Sequence, residues 1–127
     1  MDDLSPAPEV SVPQILVDHS AELHFDRQAF AKELHPLVAE VISSDIADCK
    51  TVFRPAADHL VGDGSTQRPL VLVEIKLLSG RSTELRAELT SRVLTLLESH
   101  VTAPVSLAVE VTELDRATYR AVHAAGE

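Results

Sequence analysis

The stretch Val12-Pro13-Gln14-Ile15-Leu16-Val17-Asp18 decides how the rest of the chain is read. Gln14–Val17 is a run of β-branched and aliphatic residues, as expected of a strand covered on both faces. Pro13 stands at its first position, where the missing N–H breaks no ladder bond. Ahead of it, residues 1–12 carry two prolines and three acids with no sustained periodicity. They read as a disordered tail. A single domain over residues 13–127 follows, a length that buries a core without staples.

Working outward, Asp26 is placed to cap a helix. Phe30, Leu34, Leu37, Val38, Val41 and Ile42 recur at steps of three and four and mark its apolar face. Pro36 removes one backbone bond inside that pattern, and the helix is read as one element with a kink there. Ser43-Ser44-Asp45 ends it. A second strand is expected from about Cys49 to Phe53, resuming near His59. Gly62-Asp63-Gly64-Ser65 is a turn cluster. Leu70 to Leu77 gives the strongest strand signal, broken at Ser79-Gly80. Ser82 or Thr83 caps a second helix with Glu84 in its first turn and Leu85, Leu89, Val93, Leu96 and Leu97 along its buried stripe. Val105–Val111 alternates and reads as a last strand. Asp115–Arg120 reads as a short terminal helical turn.

Moving the sequence along itself by 56 positions brings Pro13 onto Pro69, Ile15 onto Val71, Leu16 onto Leu72 and Val17 onto Val73. Asp18 falls on Glu74, Asp26 on Ser82 and Ala31 on Ala87, and the match then fades. The fold class is therefore α+β. Two tandem β-α-β units form a four-stranded mixed sheet with both helices on one face, each unit right-handed. Ile15, Val17, Leu70 and Leu72 cannot all point at the helices, because neighbouring side chains alternate. A sheet with apolar residues on both faces calls for a partner, which argues for an oligomer built sheet against sheet. The alternative is that helix or tail residues wrap round to the second face.

Composition narrows the function. Hydrophobic residues make up 45% and charged residues 24% of the 127 positions, ordinary for a globular protein. A net charge of −9 disfavours nucleic acid and anionic membrane as partners, though a locally positive pocket can still take a small anion. No apolar run approaches the roughly 20 residues of a membrane span. The acidic N-terminus is unlike a signal peptide, and Cys49 is the only cysteine. These features point to the cytoplasm. Cys49 reads as a small buried hydrophobe.

Gly80-Arg81-Ser82 joins the strongest strand to a helix N-terminus, where free N–H groups and an arginine fork favour anions. A solvated turn arginine is the ordinary alternative. Lys50 opens the second strand, where a solvated edge lysine is the usual case. His19, His24, His35, His59, His100 and His123 show no ligand spacing with acids or cysteines, so no metal and no cofactor are assigned. There is no glycine-rich phosphate loop, serine elbow or redox cysteine pair.

Together these features are more specific than apart. Pro13-Gln14-Ile15-Leu16-Val17 opening a βαβ repeat, Cys49-Lys50-Thr51 starting the second strand, Ser79-Gly80-Arg81-Ser82 before the second helix and Val105–Glu110 closing the sheet resemble the 5-carboxymethyl-2-hydroxymuconate Δ-isomerase family of the tautomerase superfamily. The resemblance covers about residues 13 to 122. It implies a homotrimer of sheets packed round a central core, acting in aromatic-compound breakdown. It also implies a catalytic N-terminal proline, here Pro13, whose amine takes the 2-hydroxyl proton of a dienol diacid and returns it to C5. Arg81 matches a family arginine in the same turn and binds or polarises the substrate's anionic end. Lys50 stands where better-known members carry arginine, keeping the charge and losing the bidentate fork.

As written, Pro13 is a tertiary amide without a basic lone pair. Two explanations stay open. Residues 1–12 are a misassigned start, with Val12 encoded by a GUG codon that initiates as methionine and is then removed. Or the extension is real and the protein is a non-catalytic tautomerase-fold trimer that binds a small anion. Were the base to lie elsewhere, His19 and Asp18, at the end of the same strand, are the next candidates. A regulatory-type split βαβ is a third reading, against which the lack of an effector glycine loop counts.

Overall fold

The structure, a computed structural model, describes residues 12–124. The expected tail lies outside these residues except for Val12, which is buried at 4% exposure. The elements run β1 (Gln14–Ser20), α1 (Arg27–Ile42), β2 (Lys50–Ala56), β3 (Leu70–Leu78), α2 (Thr83–Glu98) and β4 (Ser106–Leu114), with a 3-10 turn over Ile46–Asp48. Both helices start on the expected caps. Asp26 Oδ1 accepts from Ala29 N at 3.0 Å, and Ser82 Oγ accepts from Leu85 N at 3.1 Å. Pro36 stays inside an unbroken α1, and Ser43 ends it in the left-handed region at φ 58°.

The sheet order is β2-β1-β3-β4, with β1 and β2 parallel, β1 and β3 antiparallel, and β3 and β4 parallel. The repeat is more regular in three dimensions than in sequence. The 56-residue step carries Arg27–Ile42 onto Thr83–Glu98 without a gap. Within each half the strands pair at the same 36-residue step, Gln14 with Lys50 and Leu70 with Ser106. The two prolines are equivalent as well. Pro13 O accepts from Lys50 N at 3.2 Å, and Pro69 O accepts from Ser106 N at 2.9 Å.

The sequence match fades because the helices present different stripes. α1 buries Phe30, Leu34, Val38 and Ile42, while α2 buries Leu89, Val93 and Leu97. Carried back 56 positions, the α2 stripe falls on Glu33, Leu37 and Val41, one residue early, a rotation of about 100° on a 3.6-residue helix. The core lies between the helices and one sheet face, where Ile15, Val17, Val71, Val73 and Ile75 are buried.

Two local expectations need correction. The second strand begins at Lys50 and ends at Ala56 without resuming near His59. Cys49 instead closes the 3-10 turn, its N–H donating to Ile46 O at 3.0 Å, while Asp63 holds the following loop by accepting from Ser65 N at 3.0 Å. Asp115–Arg120 does form the single turn expected there, with Thr118 N and Tyr119 N both donating to Asp115 O. The second sheet face is mixed rather than apolar. Leu72 and Val52 are about half exposed at 47% and 51%, beside Asp18, Arg54 and Glu74. Among the described residues no helix is long and apolar enough to cross a membrane.

Candidate active site

Register decides what meets what. Because β1 runs against β3, the start of β1 lies beside the end of β3, with Gln14 opposite Lys76. Lys50 is the first residue of β2 and pairs with Gln14 on the other side. Arg81 sits in the turn that leaves β3. Pro13, Lys50 and Arg81 therefore share one end of the sheet, although 68 positions separate the first from the last. Pro13 is buried, and its carbonyl is joined to the Lys50 N–H.

The three side chains do not converge on one point. Arg81 is half-buried and turned toward the helix layer. Its Nη2 donates to Ile42 O at 3.2 Å and its Nη1 to Leu78 O at 3.4 Å. The guanidinium thus satisfies one of the carbonyls that the end of α1 leaves without an intrahelical partner. Gly80, at φ 126°, makes the turn that aims it there, a backbone region closed to most side chains. Lys50 is exposed, follows the alternation of Val52 and Arg54 onto the open face, and donates from Nζ to Asp48 O at 3.0 Å.

The open face holds what the sequence reading missed. Lys50, Gln14, Lys76 and Thr112 form one cross-strand row at the Pro13 end. Over it lies Tyr119, whose hydroxyl accepts from Gln14 Nε2 at 2.8 Å. Arg116 Nε donates to Ser79 O at 2.6 Å, which ties the C-terminal turn to the segment that carries Arg81. Alternation within each strand marked Gln14 and Lys76 as turned away from the core. Nothing in the sequence put Tyr119 beside them, since the bond spans 105 positions.

Further along the same face the charge reverses. Glu74 and Glu110 border a cavity of about 260 Å³ together with Asp18, Leu72, Val73 and Ala108. Thr112 Oγ1 donates to Glu74 Oε2 at 2.7 Å. Asp18 is held by Arg54 through two bonds of 2.8 Å, and that carboxylate raises the Arg54 pKa further. An anion approaching this face is repelled from the carboxylates and drawn to the lysine row.

The remaining titratable groups play other parts. His19 is fully buried at the far end of β1, with Nδ1 3.0 Å from Ser20 O and its ring edge-on to Phe25 and Phe53. That leaves it remote from Pro13. Burial raises the Cys49 thiol above its ordinary pKa and disfavours the thiolate. Burial lowers His35, whose Nε2 lies 2.7 Å from Thr51 Oγ1. Among the described residues no three His, Cys, Asp or Glu side chains are grouped to hold a metal.

No family model matches the sequence, and a search of the curated proteins finds no match. Solved structures do match. A 5-carboxymethyl-2-hydroxymuconate isomerase from Deinococcus radiodurans R1 superimposes with a TM-score of 0.79 at 15% identity, covering 92% of this chain and 93% of its own. A macrophage migration inhibitory factor-like protein from Entamoeba histolytica gives 0.68 at 23% identity, over 87% and 96%. A fused 4-OT symmetric trimer gives 0.68 at 19% identity, over 81% and 86%. The two tandem βαβ units, their mixed sheet and the helices on one face are thus a fold that this chain shares with these structures, 5-carboxymethyl-2-hydroxymuconate isomerases among them.

Proposed function

We propose that this chain is a tautomerase that ketonises an unsaturated 2-hydroxy dicarboxylate, with Pro13 as its N-terminal base. The observation that carries the reading is the sheet register. In a fold shared with isomerases of such diacids, it brings Pro13 to one end together with Lys50 and the turn of Arg81. The reacting atom is the ring nitrogen, a backbone atom at the end of the strand.

The base must be neutral to act. An unperturbed α-amino group titrates at about 7.7–8.0, and a proline amine is more basic. Lys50 and Arg81, with partial burial, disfavour its protonated form and lower that pKa. The amine then takes the proton of the 2-hydroxyl and returns it to C5. Charge that develops on the dienolate oxygen is stabilised by Lys50 on the open face, while the Arg81 guanidinium, turned to the helix layer, acts at longer range. Three copies packed through the Leu72 end of their open sheet faces, with the Lys50–Lys76 row left open at the other end, complete the enzyme, which works in the cytoplasm and needs no metal or cofactor.

A second reading rests on Val12, which is buried and holds Pro13 in an amide. If residues 1–12 are retained, the nitrogen cannot accept a proton, and the protein is an anion-binding trimer without the base.

The experiment compares the full-length chain, a chain starting Met-Pro13, and the latter with Pro13→Ala. Removal of methionine from the second should give ketonisation of 2-hydroxymuconate. The untrimmed full-length chain should stay near background. Pro13→Ala leaves a primary amine and should lose part of the rate. Equal activity in trimmed and untrimmed protein, with the tail confirmed intact by mass spectrometry, refutes the proline base.

A further inference from the structure

Around Gln14 the open face gathers two ammonium groups and one phenol from three separate segments. Lys50 and Lys76 flank it on neighbouring strands, and Tyr119 caps it from the C-terminal turn. With strands about 4.8 Å apart, the two lysine backbones stand roughly 10 Å from each other across β1. The protein carries a net charge of −9, so two lysines in one row are a local reversal.

The two lysines are not equivalent. Lys50 is exposed and reaches back to Asp48 O. Lys76 is half-buried, and among the described residues no carboxylate forms an ion pair with it. Glu74, the nearest acid on the same side of β3, is engaged by Thr112. The Tyr119 hydroxyl receives its hydrogen bond from an amide N–H, so its own proton is left to give. A half-buried ammonium on the strand beside Gln14 and a phenol O–H held by Gln14 offer two donors to one carboxylate.

We propose that Lys76 and Tyr119 bind the second carboxylate of a dicarboxylate ligand, across β1 from the one that Lys50 meets. This rests on the reading of the site as one for an unsaturated diacid, and it adds the residues that select a diacid over a monoacid. Gln14 positions Tyr119, and the Arg116–Ser79 bond holds the turn that carries it.

Tyr119 is the only tyrosine, and the chain has no tryptophan, so tyrosine emission reports on this residue alone. Adipate serves as an unreactive dicarboxylate probe and hexanoate as its monocarboxylate counterpart. Both are titrated by emission and calorimetry into the full-length and the Met-Pro13 chains. Adipate should change the emission saturably and bind about ten- to hundredfold more tightly than hexanoate, the range of one charged hydrogen bond. Lys76→Met should abolish that preference and leave hexanoate binding unchanged. Tyr119→Phe, followed by calorimetry with circular dichroism to confirm its fold, should reduce the preference severalfold. In turnover of 2-hydroxymuconate by the trimmed chain, Lys76→Met should raise KM about tenfold with kcat little changed.

Absent adipate binding, equal affinity for the two probes, or a preference that survives Lys76→Met overturns the proposal. A dicarboxylate preference in a trimmed chain without isomerase activity refutes the proline base and upholds this assignment. Turnover with an unchanged KM in Lys76→Met does the reverse.

Discussion

Val17 and Val73 face each other across β1 and β3, and each is the other's counterpart in the 56-residue repeat. The pseudo-two-fold axis that relates the two halves therefore passes between them. Both are buried, Val17 at 0% and Val73 at 1% exposure, beneath the two helices. The antiparallel pairing at this axis is what brings Pro13 to the end of β3.

Truncating either valine should cost a similar amount. Val17→Ala and Val73→Ala should each destabilise the fold by about 2 kcal/mol, the range for a lost buried aliphatic group plus the cavity left behind. Urea denaturation checks this. The double variant should depart from the sum of the two, because residues in contact share one cavity.

Leu72 tests the open face as an assembly surface. It is 47% exposed in the single chain, so Leu72→Lys should change the melting temperature of an isolated subunit little. Three lysines brought together in a sheet-against-sheet trimer are costly to bury. Light scattering should show a trimer for the native chain and a monomer for the variant. A native chain that is monomeric at micromolar concentration rules out the trimer.

Arg81 serves the fold as well as the proposed chemistry. Its guanidinium bonds to Ile42 O and Leu78 O at 3.2 and 3.4 Å, so Arg81→Ala frees the end of α1 from the turn after β3. The variant should lose about 1 kcal/mol of stability, the scale of one net hydrogen bond. Turnover of a dicarboxylate dienol should fall roughly ten- to hundredfold, the range for a lost charged hydrogen bond. Lys50→Arg restores a forked donor and should hold activity or raise it.

His35 gives the stability a pH dependence of known sign. Burial lowers its pKa, so between the folded value and the unfolded value of about 6.5 the unfolded chain holds more protons. Its contribution is complete above about pH 6.5 and is lost as the pH falls below it. His35→Gln keeps a partner for Thr51 and removes the titration. Urea midpoints at acidic and neutral pH should therefore differ less in the variant than in the native chain.

The amino-acid order by itself determined the elements, their sequence and the repeat. Caps at Asp26 and Ser82, the stripes of both helices and the run at Leu70 are local signals, and each is read within about one turn of chain. The turn after β3 and the proline before β1 were legible for the same reason. Only the tertiary structure decided which residues meet. Strand pairing sets Gln14 between Lys50 and Lys76, and those neighbours come from segments whose spacing encodes no register. Alternation says that Lys76 faces away from the helices, not what stands beside it. Tyr119 lies 105 positions from Gln14 and reaches it only after β4 has paired with β3. Arg81 was legible as a cation at a helix start, yet packing against the end of α1 decided where its fork points. A hydrogen bond or an ion pair depends on distance in space, and the chain fixes that distance only once the sheet has closed.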